Sequence, residues 1–530
     1  AQTPVLFRNL TDFEFDGGGA TFLFYRHDDN VVNWKVKDCE RIFLHNFNMD
    51  WDWEREPLAS LVEAVEVGTG YVDFKFFEYE RFPKRDVKVR LLSSYDPVAA
   101  AVGTEGGITT GFSKPKTKWL SANVLRVNFQ PKGIKPGDLF RMQHRYYGND
   151  GFLLDNNRLL TMADINLYAC AGMGIRAIGH QKYWHLLRVK IAPPAGVPRR
   201  PISVTADHCH VNRSNGFIKI EECEFGFGAD DCLNIHDLSL VAVKNGTHSV
   251  KVYSNWADRI PESGAEIEFR HTDYSPTGIT APVKTVKVLD KVRQTYELVF
   301  DRELPEPLAE EVGFILFDRS YDSRNIIIRN NRFHRNRARG LLLLARDITI
   351  ENNSFYHNEM GALKFETGYT LNQWSEGYGA SNIVVRNNLF EAVNSGEIKN
   401  DGWVRDVFLG SYVVTDPSTR HTDYPVIRDI LFEGNTFRES FGLVAFISSA
   451  ENVIFRNNKF SNTTRRRNPL PYRSNFFVTA SRNIWIINNQ YMASPYTRNP
   501  NVLVTPVSVK NVIVQGNHVV QPKSVNRGIQ

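Results

Sequence analysis

Three aspartates in this chain could do chemistry together. Asp230 and Asp231 stand side by side in Ala229-Asp230-Asp231-Cys232-Leu233-Asn234-Ile235-His236, and Asp207 closes Thr205-Ala206-Asp207, 23 residues earlier (230 − 207). Aspartate is depleted in strands, and an adjacent pair puts one charge on each face unless the chain bends there. If the chain winds at one coil per interval of this size, Asp207 lies on the coil beside the pair, and stacked strands are about 4.8 Å apart. Three carboxyls in one patch suffice for a general acid and a general base acting on a sugar. Their mutual repulsion raises at least one pKa, which keeps a carboxyl protonated near neutral pH. A calcium or capping site, or solvated turn carboxylates, is the plainer reading of the same residues.

Other candidates lie downstream. Alternate residues on a strand share a face, so Arg337 and Arg339 in Arg337-Ala338-Arg339-Gly340 would project together and hold sugar hydroxyls or an acidic group. Glu366 opens a long loop that contains Trp374-Ser375-Glu376-Gly377. An exposed Trp offers a sugar a stacking face and a nearby Glu accepts from its hydroxyls. His236 continues the aspartate stretch, as a substrate contact or as a core histidine. Arg465-Arg466-Arg467 reads as a solvated loop.

The elements that must position these residues show in a repeated phrase. Asn325 to Phe333, an apolar alternation followed by Asn-Asn and then Phe, returns at Asp347 to Phe355, Asn382 to Phe390, Asp429 to Phe437 and Asn452 to Phe460, with Asn483 to Tyr491 and Asn511 to Val519 completing the set. The shortest spacings, 22 (355 − 333) and 23 (460 − 437), fit one β-helix coil. An alternating strand, a turn at Asn-Asn and an inward aromatic build one side of a coil, and stacked coils would line the amides and rings into ladders. Phe217 to Phe225 carries a weaker copy, which places all three aspartates in the helix itself.

Two stretches lack the phrase. The expected map is β-helix coils over 1–56, an inserted β domain over 57–143, β-helix with the aspartates over 144–237, a second inserted β domain over 238–318 that walls the site, and β-helix over 319–530. The fold class is therefore all-β: a right-handed parallel β-helix with two small β-barrel-like inserts.

Composition narrows the function classes. The chain has 530 residues, is 42% hydrophobic and 23% charged, and carries a net charge of +5. That charge is small for this length and argues against a nucleic-acid partner. No apolar run is long enough for a membrane span. Aromatics at 12% fit sugar stacking and a large core equally. The five cysteines, Cys39, Cys170, Cys209, Cys223 and Cys232, form no C-x-x-C pair and read as buried thiols rather than a zinc site or a disulfide framework. Ala1-Gln2-Thr3 fits a mature end left by signal-peptide removal, so a secreted or periplasmic location is expected.

Together these motifs resemble glycoside hydrolase family 110, the inverting α-1,3-galactosidases, a family of right-handed parallel β-helices interrupted by two small β-barrels. The similar phrases are Thr205-Ala206-Asp207, Asp230-Asp231 before Asn234-Ile235-His236, Asn336-Arg337-Ala338-Arg339-Gly340, Trp374 with Glu376, and Asp52 before the first insert. The resemblance implies Asp230 as general acid, Asp207 with Asp231 as the groups that position and deprotonate the water, an exo-acting hydrolase of an oligosaccharide or polysaccharide, and no metal or organic cofactor. The Asp-Asp-Cys stretch also resembles family 28 polygalacturonases. Those enzymes carry a Gly-His-Gly and an Arg-Ile-Lys that are absent here, so a polygalacturonase-like hydrolase is the alternative. A non-catalytic glycan-binding adhesin is the alternative outside the enzymes, and a clustered aspartate triad is more than binding needs.

Overall fold

The computed structural model describes residues 3–25, 31–77, 87–104, 106–195, 200–254, 259–308, 313–370, 374–395, 405–412, 421–463, 474–496, 499–505 and 508–521, without the side chains of Thr370, Trp374, Tyr412, Ser474 and 499–501. The triple arginine at 465–467 lies outside the described residues. Every regular element among them is a strand, and no helix is long and apolar enough to cross a membrane.

Most strands belong to a parallel β-helix. One side is a ladder of parallel strands that climbs from Val5–Arg8 and Val32–Lys37 through Asp150–Asp155, Ile175–Ile178, Cys209–Asn212, Leu233–His236, Leu341–Leu344, Leu363–Thr370 and Arg405–Tyr412 to Asn499–Val504. The other sides are parallel rows such as Arg324–Arg329 and Arg332–His334, joined near the N-terminal end by the long strands Glu40–Trp51 and Arg158–Leu167.

The repeated phrase explains each coil. In Arg324–Arg329 the buried side chains are Ile326 and Ile328, the alternation that a half-buried strand requires. Asn330 then takes φ +58, and Asn352, Asn387, Asn457 and Asn488 do the same. Asparagine tolerates this left-handed turn better than other residues with a Cβ. The second Asn points inward and joins a ladder. The Asn331 backbone N–H and Nδ2 both donate to Asn353 Oδ1, at 2.9 and 3.0 Å, and Asn353, Asn388, Asn435, Asn458 and Asn489 each repeat this onto the next coil. Cys223 stands at the same rung, its N–H donating to Asn331 Oδ1 at 2.8 Å. The phenylalanines stack beside the amides, Phe333 on Phe355 at 5.0 Å and Phe355 on Phe390 at 4.9 Å, with ring planes within 19°. The five cysteines are buried and unpaired.

Two antiparallel units leave the helix. The first runs from Ala59–Gly68 to Leu139–Gln143 around Val62, Phe74, Phe140 and Met142, and its strands follow an open path among the described residues rather than closing. The second, from Ser239–Lys244 to Phe314–Asp318, closes as a six-stranded barrel around Val250, Phe269, Leu298 and Phe314. At the neck of the barrel Asp237 accepts from the Ser323 N–H at 2.7 Å, the Ser323 hydroxyl at 2.8 Å and the Ser214 N–H at 3.2 Å. The coil is thus tied shut across the insertion.

Candidate active site

The aspartates sit where neighbouring coils turn into the parallel ladder. Cys209 pairs with Leu233 and Leu233 with Leu341, so Asp207, Asp231 and Arg339, each two residues earlier, stand in line on three successive coils. A side-chain ladder joins them. Asp207 Oδ1 accepts the Asp231 N–H at 3.0 Å, and Asp231 Oδ1 accepts the Arg339 N–H at 2.9 Å. Ala229 and Cys232, on either side of the pair, are wholly buried, so the bend turns both aspartates out of the core. One oxygen from each of Asp207, Asp230 and Asp231 lies within 4.8 Å of the others.

Each carboxyl has its own partners. The Arg339 guanidinium donates to Asp231 Oδ2 at 2.9 Å. Asp230 lies 3.2 Å from Arg337 Nη2 and accepts from the Tyr147 hydroxyl at 2.7 Å, with the Tyr146 hydroxyl at 3.4 Å. The Asn336 side-chain amide holds the Asp230 carbonyl, and Arg337 Nε holds that of Ala229. Asp207 Oδ2 meets His210 Nδ1 at 2.6 Å. By distance the three carboxylates could hold a cation. Two guanidiniums and an imidazole already occupy them, and that donor set fits neutralisation by the protein and the sharing of protons.

The environments push the three apart. Burial, reinforced by the charge of Asp230, holds Asp207 well above the usual carboxylate range. Burial raises Asp231 to about 7, with Arg339 opposing and the other two aspartates reinforcing. For Asp230 burial also raises, and Arg337, Arg339 and the two tyrosine hydroxyls outweigh it, so its carboxyl stays below the usual range. Asp230 is also the most open of the three, with 13% of its side chain accessible against 3% for Asp207 and 2% for Asp231. Of the three, Asp230 is the most readily ionised, and burial biases Asp207 and Asp231 toward the protonated form.

The other expected residues divide. Arg337 and Arg339 do aim the same way, from a bend rather than a strand, and their guanidiniums lie on Asp230 and Asp231 instead of being left free for a sugar. Glu366 is buried, 3.0 Å from Lys364 Nζ, and is one of the charges that act on Arg339. Glu376 Oε1 lies 3.9 Å from His236 Nε2. His236 is fully buried and bonded to His210 at 3.2 Å, so its ring faces other histidine and acid groups. The Trp374 side chain lies outside the described residues; its backbone pairs with Thr370 in a short hairpin. Asp52 caps the turn before the first insert, accepting the Arg55 N–H at 3.0 Å. The sequence reading missed Tyr146, Tyr147 and His210, and quoted Asn336 only as the first residue of its arginine motif. His210 opens onto Asp207 because Asp207 lies in the bend before the strand Cys209–Asn212, a placement that strand alternation does not show.

With this geometry in hand, comparison with known proteins adds kinship. Residues 317–405 match the family of right-handed β-helix regions. The α-1,3-galactosidase A of Bacteroides fragilis (strain YCH46) is 23% identical over 486 residues, covering 87% of this chain and 75% of the relative. The α-1,3-galactosidase B of Bacteroides thetaiotaomicron is 23% identical over 513 residues, covering 92% and 79%. Among solved structures, DFA-IIIase from Arthrobacter chlorophenolicus A6 in complex with GF2 superposes with a TM-score of 0.37 at 9% identity, covering 92% of this chain and 83% of that one. The chain is a right-handed parallel β-helix protein that resembles, over most of its length, the α-1,3-galactosidases of glycoside hydrolase family 110.

Proposed function

We propose that this protein is a glycoside hydrolase that removes a terminal α-linked galactosyl residue, from an α-1,3-galactoside or a related sugar of a host or algal glycan, with inversion and outside the cytoplasm. The observation that carries the reading is the split cluster of Asp207, Asp230 and Asp231: carboxyls within 4.8 Å whose surroundings push two upward in pKa and the third downward. Titratable groups pushed apart in this way make an acid and a base at one pH. The likeness to α-1,3-galactosidases supplies the sugar and the linkage. Inversion rests on that family likeness. The carboxyl oxygens are closer than the roughly 6.5–9.5 Å usual between the acid and base of an inverting enzyme, so spacing alone does not select the outcome.

For the chemistry, a proton must reach the glycosidic oxygen while a carboxylate takes one from water. The resemblance assigns the first task to Asp230 and the second to Asp207 with Asp231. The lowered pKa of Asp230 and the raised pKa of Asp231, about 7, favour a second division, with Asp230 as base and Asp231 as acid. Leaving groups separate the two. An enzyme without its acid still hydrolyses an activated nitrophenyl α-galactoside, which leaves unaided, far better than an unactivated one, and an enzyme without its base loses both. The proposal as a whole is tested by incubating the protein with aryl α- and β-glycosides and α-1,3-linked galactosides and reading the first-formed product by NMR. Release of galactose as the β-anomer is expected. Release of the α-anomer would contradict inversion, and no release from any α-galactoside would contradict the substrate.

A further inference from the structure

Two histidines behind the aspartates carry an inference that rests on the hydrolase reading and deepens it. His210 and His236 lie on neighbouring strands, where His210 pairs with Asn234 and Asn212 with His236, so the rings are diagonal neighbours on one face. Their planes are perpendicular, with centroids 5.1 Å apart. His210 Nδ1 is 2.6 Å from Asp207 Oδ2, His210 Nε2 is 3.2 Å from His236 Nε2, and His236 Nδ1 is 3.1 Å from the Asp237 carbonyl oxygen.

One fixed end orders this chain. A backbone carbonyl only accepts, so His236 carries a hydrogen on Nδ1. A neutral His236 then has a bare Nε2, which accepts from His210 Nε2–H. A neutral His210 then has a bare Nδ1, and the 2.6 Å contact needs a hydrogen from Asp207. Burial of both rings disfavours the imidazolium form of each at rest. His210 also faces Asp231, Glu376, Arg176 and Arg259, and His236 faces Glu376 and Arg259. Glu376 stands 3.9 Å from His236, and with both rings neutral the permanent cations Arg259 and Arg339 are what favour its ionised form against the pull of burial.

We propose that His210 and His236 form a proton relay that holds the hydrogen on Asp207 at rest and passes it to His236, beside Glu376, when Asp207 must act as a base. The shift balances. The Asp207 Oδ2–H bond breaks as His210 Nδ1–H forms, and His210 Nε2–H breaks as His236 Nε2–H forms. One proton moves, Asp207 becomes a carboxylate, and His236 becomes an imidazolium next to the Glu376 carboxylate. The buried cluster keeps its net charge throughout, and the new imidazolium forms against the Glu376 carboxylate, which offsets part of the cost of separating charge in a buried site. Both histidines are positioning residues, since they act through Asp207.

The test is the tautomeric state of the two rings in the whole protein at neutral pH, labelled with 15N-histidine and free of substrate, read by long-range proton–nitrogen correlation and assigned with His210→Gln and His236→Gln. The relay requires two neutral rings, His210 with its hydrogen on Nε2 and His236 on Nδ1. A hydrogen on His210 Nδ1, or an imidazolium at either position at rest, would overturn it. Because no substrate is present, this result stands or falls apart from the hydrolase reading. A second readout uses His236→Phe, which keeps the ring volume and removes both nitrogens. The acidic limb of its kcat profile, which reports the ionisation of the base, should move by about one pH unit, a tenfold change in the proton equilibrium. A limb in the parent's position would show a packing role only and overturn the relay.

Discussion

Asp230 and Asp231 are neighbours in the chain whose pKa values shift in opposite directions, and the difference lies in what reaches each of them. Arg337, Arg339 and two tyrosines favour the ionised form of Asp230, and burial beside two other acids raises Asp231 to about 7. That the three aspartates could meet was legible from one interval of 23 residues. The division of charge was not. Tyr146 and Tyr147 arrive from the exit of the first insert, 84 and 83 residues away from Asp230, and the arginine pair had to be seen resting on the acids. A thermal measurement checks the charge state of Asp207. A carboxyl whose folded-state pKa is raised supports the fold below its unfolded pKa and loses that support as pH rises toward the folded value. Asparagine mimics the protonated acid, accepting the Asp231 N–H and donating to His210. The Tm of Asp207→Asn relative to the parent should therefore climb between pH 4 and pH 8. A difference that falls across that range would show Asp207 ionised in the folded protein.

At the scale of the element, the coil was legible because each of its parts has a residue type of its own. Asn330 turns the chain, Asn331 ties one coil to the next, and Phe333 fills the corner. These demands are local, so they recur in sequence. The first insert was harder to read, because an open antiparallel sheet and a closed barrel have the same alternation, and closure depends on which distant edges meet. The ladder makes a sharp prediction. Asn388→Ala would strip the Asn353 N–H of its acceptor and the Ile350 carbonyl of a donor. Each unsatisfied buried group costs about 1–3 kcal/mol, so the urea midpoint should drop with little change in slope. Asn387→Gly, at φ +55, is the control. Gly434 and Gly516 already hold that turn on other coils, and the change should stay within about 1 kcal/mol. Equal losses in the two variants would mean that the ladder adds nothing beyond the turn.

For the whole molecule, the helix supplies the carboxyls and the inserts hold what surrounds them. Arg141 of the first insert is buried and donates to the Gly228 carbonyl at 3.2 Å, two residues before Asp230. The barrel bridges Leu238 to Glu376, joins Ser239 to Ser375 at 2.7 Å, and receives the Tyr369 hydroxyl on the Thr272 carbonyl at 3.1 Å. It braces the loop that carries Glu376 while Asp237 and Ser323 close the coil beneath it. Replacing residues 239–318 with a short glycine-serine link should accordingly leave a chain that melts cooperatively with strand-type circular dichroism. Galactose release should drop by about 10²-fold, the order of loss for a small misplacement of a working group. Full activity without the barrel would show that the loop needs no brace.

The central claim is that Asp207, Asp230 and Asp231 perform the acid–base chemistry of an α-galactosidase, and the most direct measurement is the rate of galactose release from an α-1,3-linked digalactoside by the protein and by Asp230→Asn. The account predicts release by the protein and a kcat lower by about 10²–10⁴ in the variant, the usual worth of a general acid or base, with a cooperative melting transition retained at neutral pH at a lower Tm, since Arg337 loses its partner. Release at the parent's rate by Asp230→Asn would make the cluster structural and contradict the account.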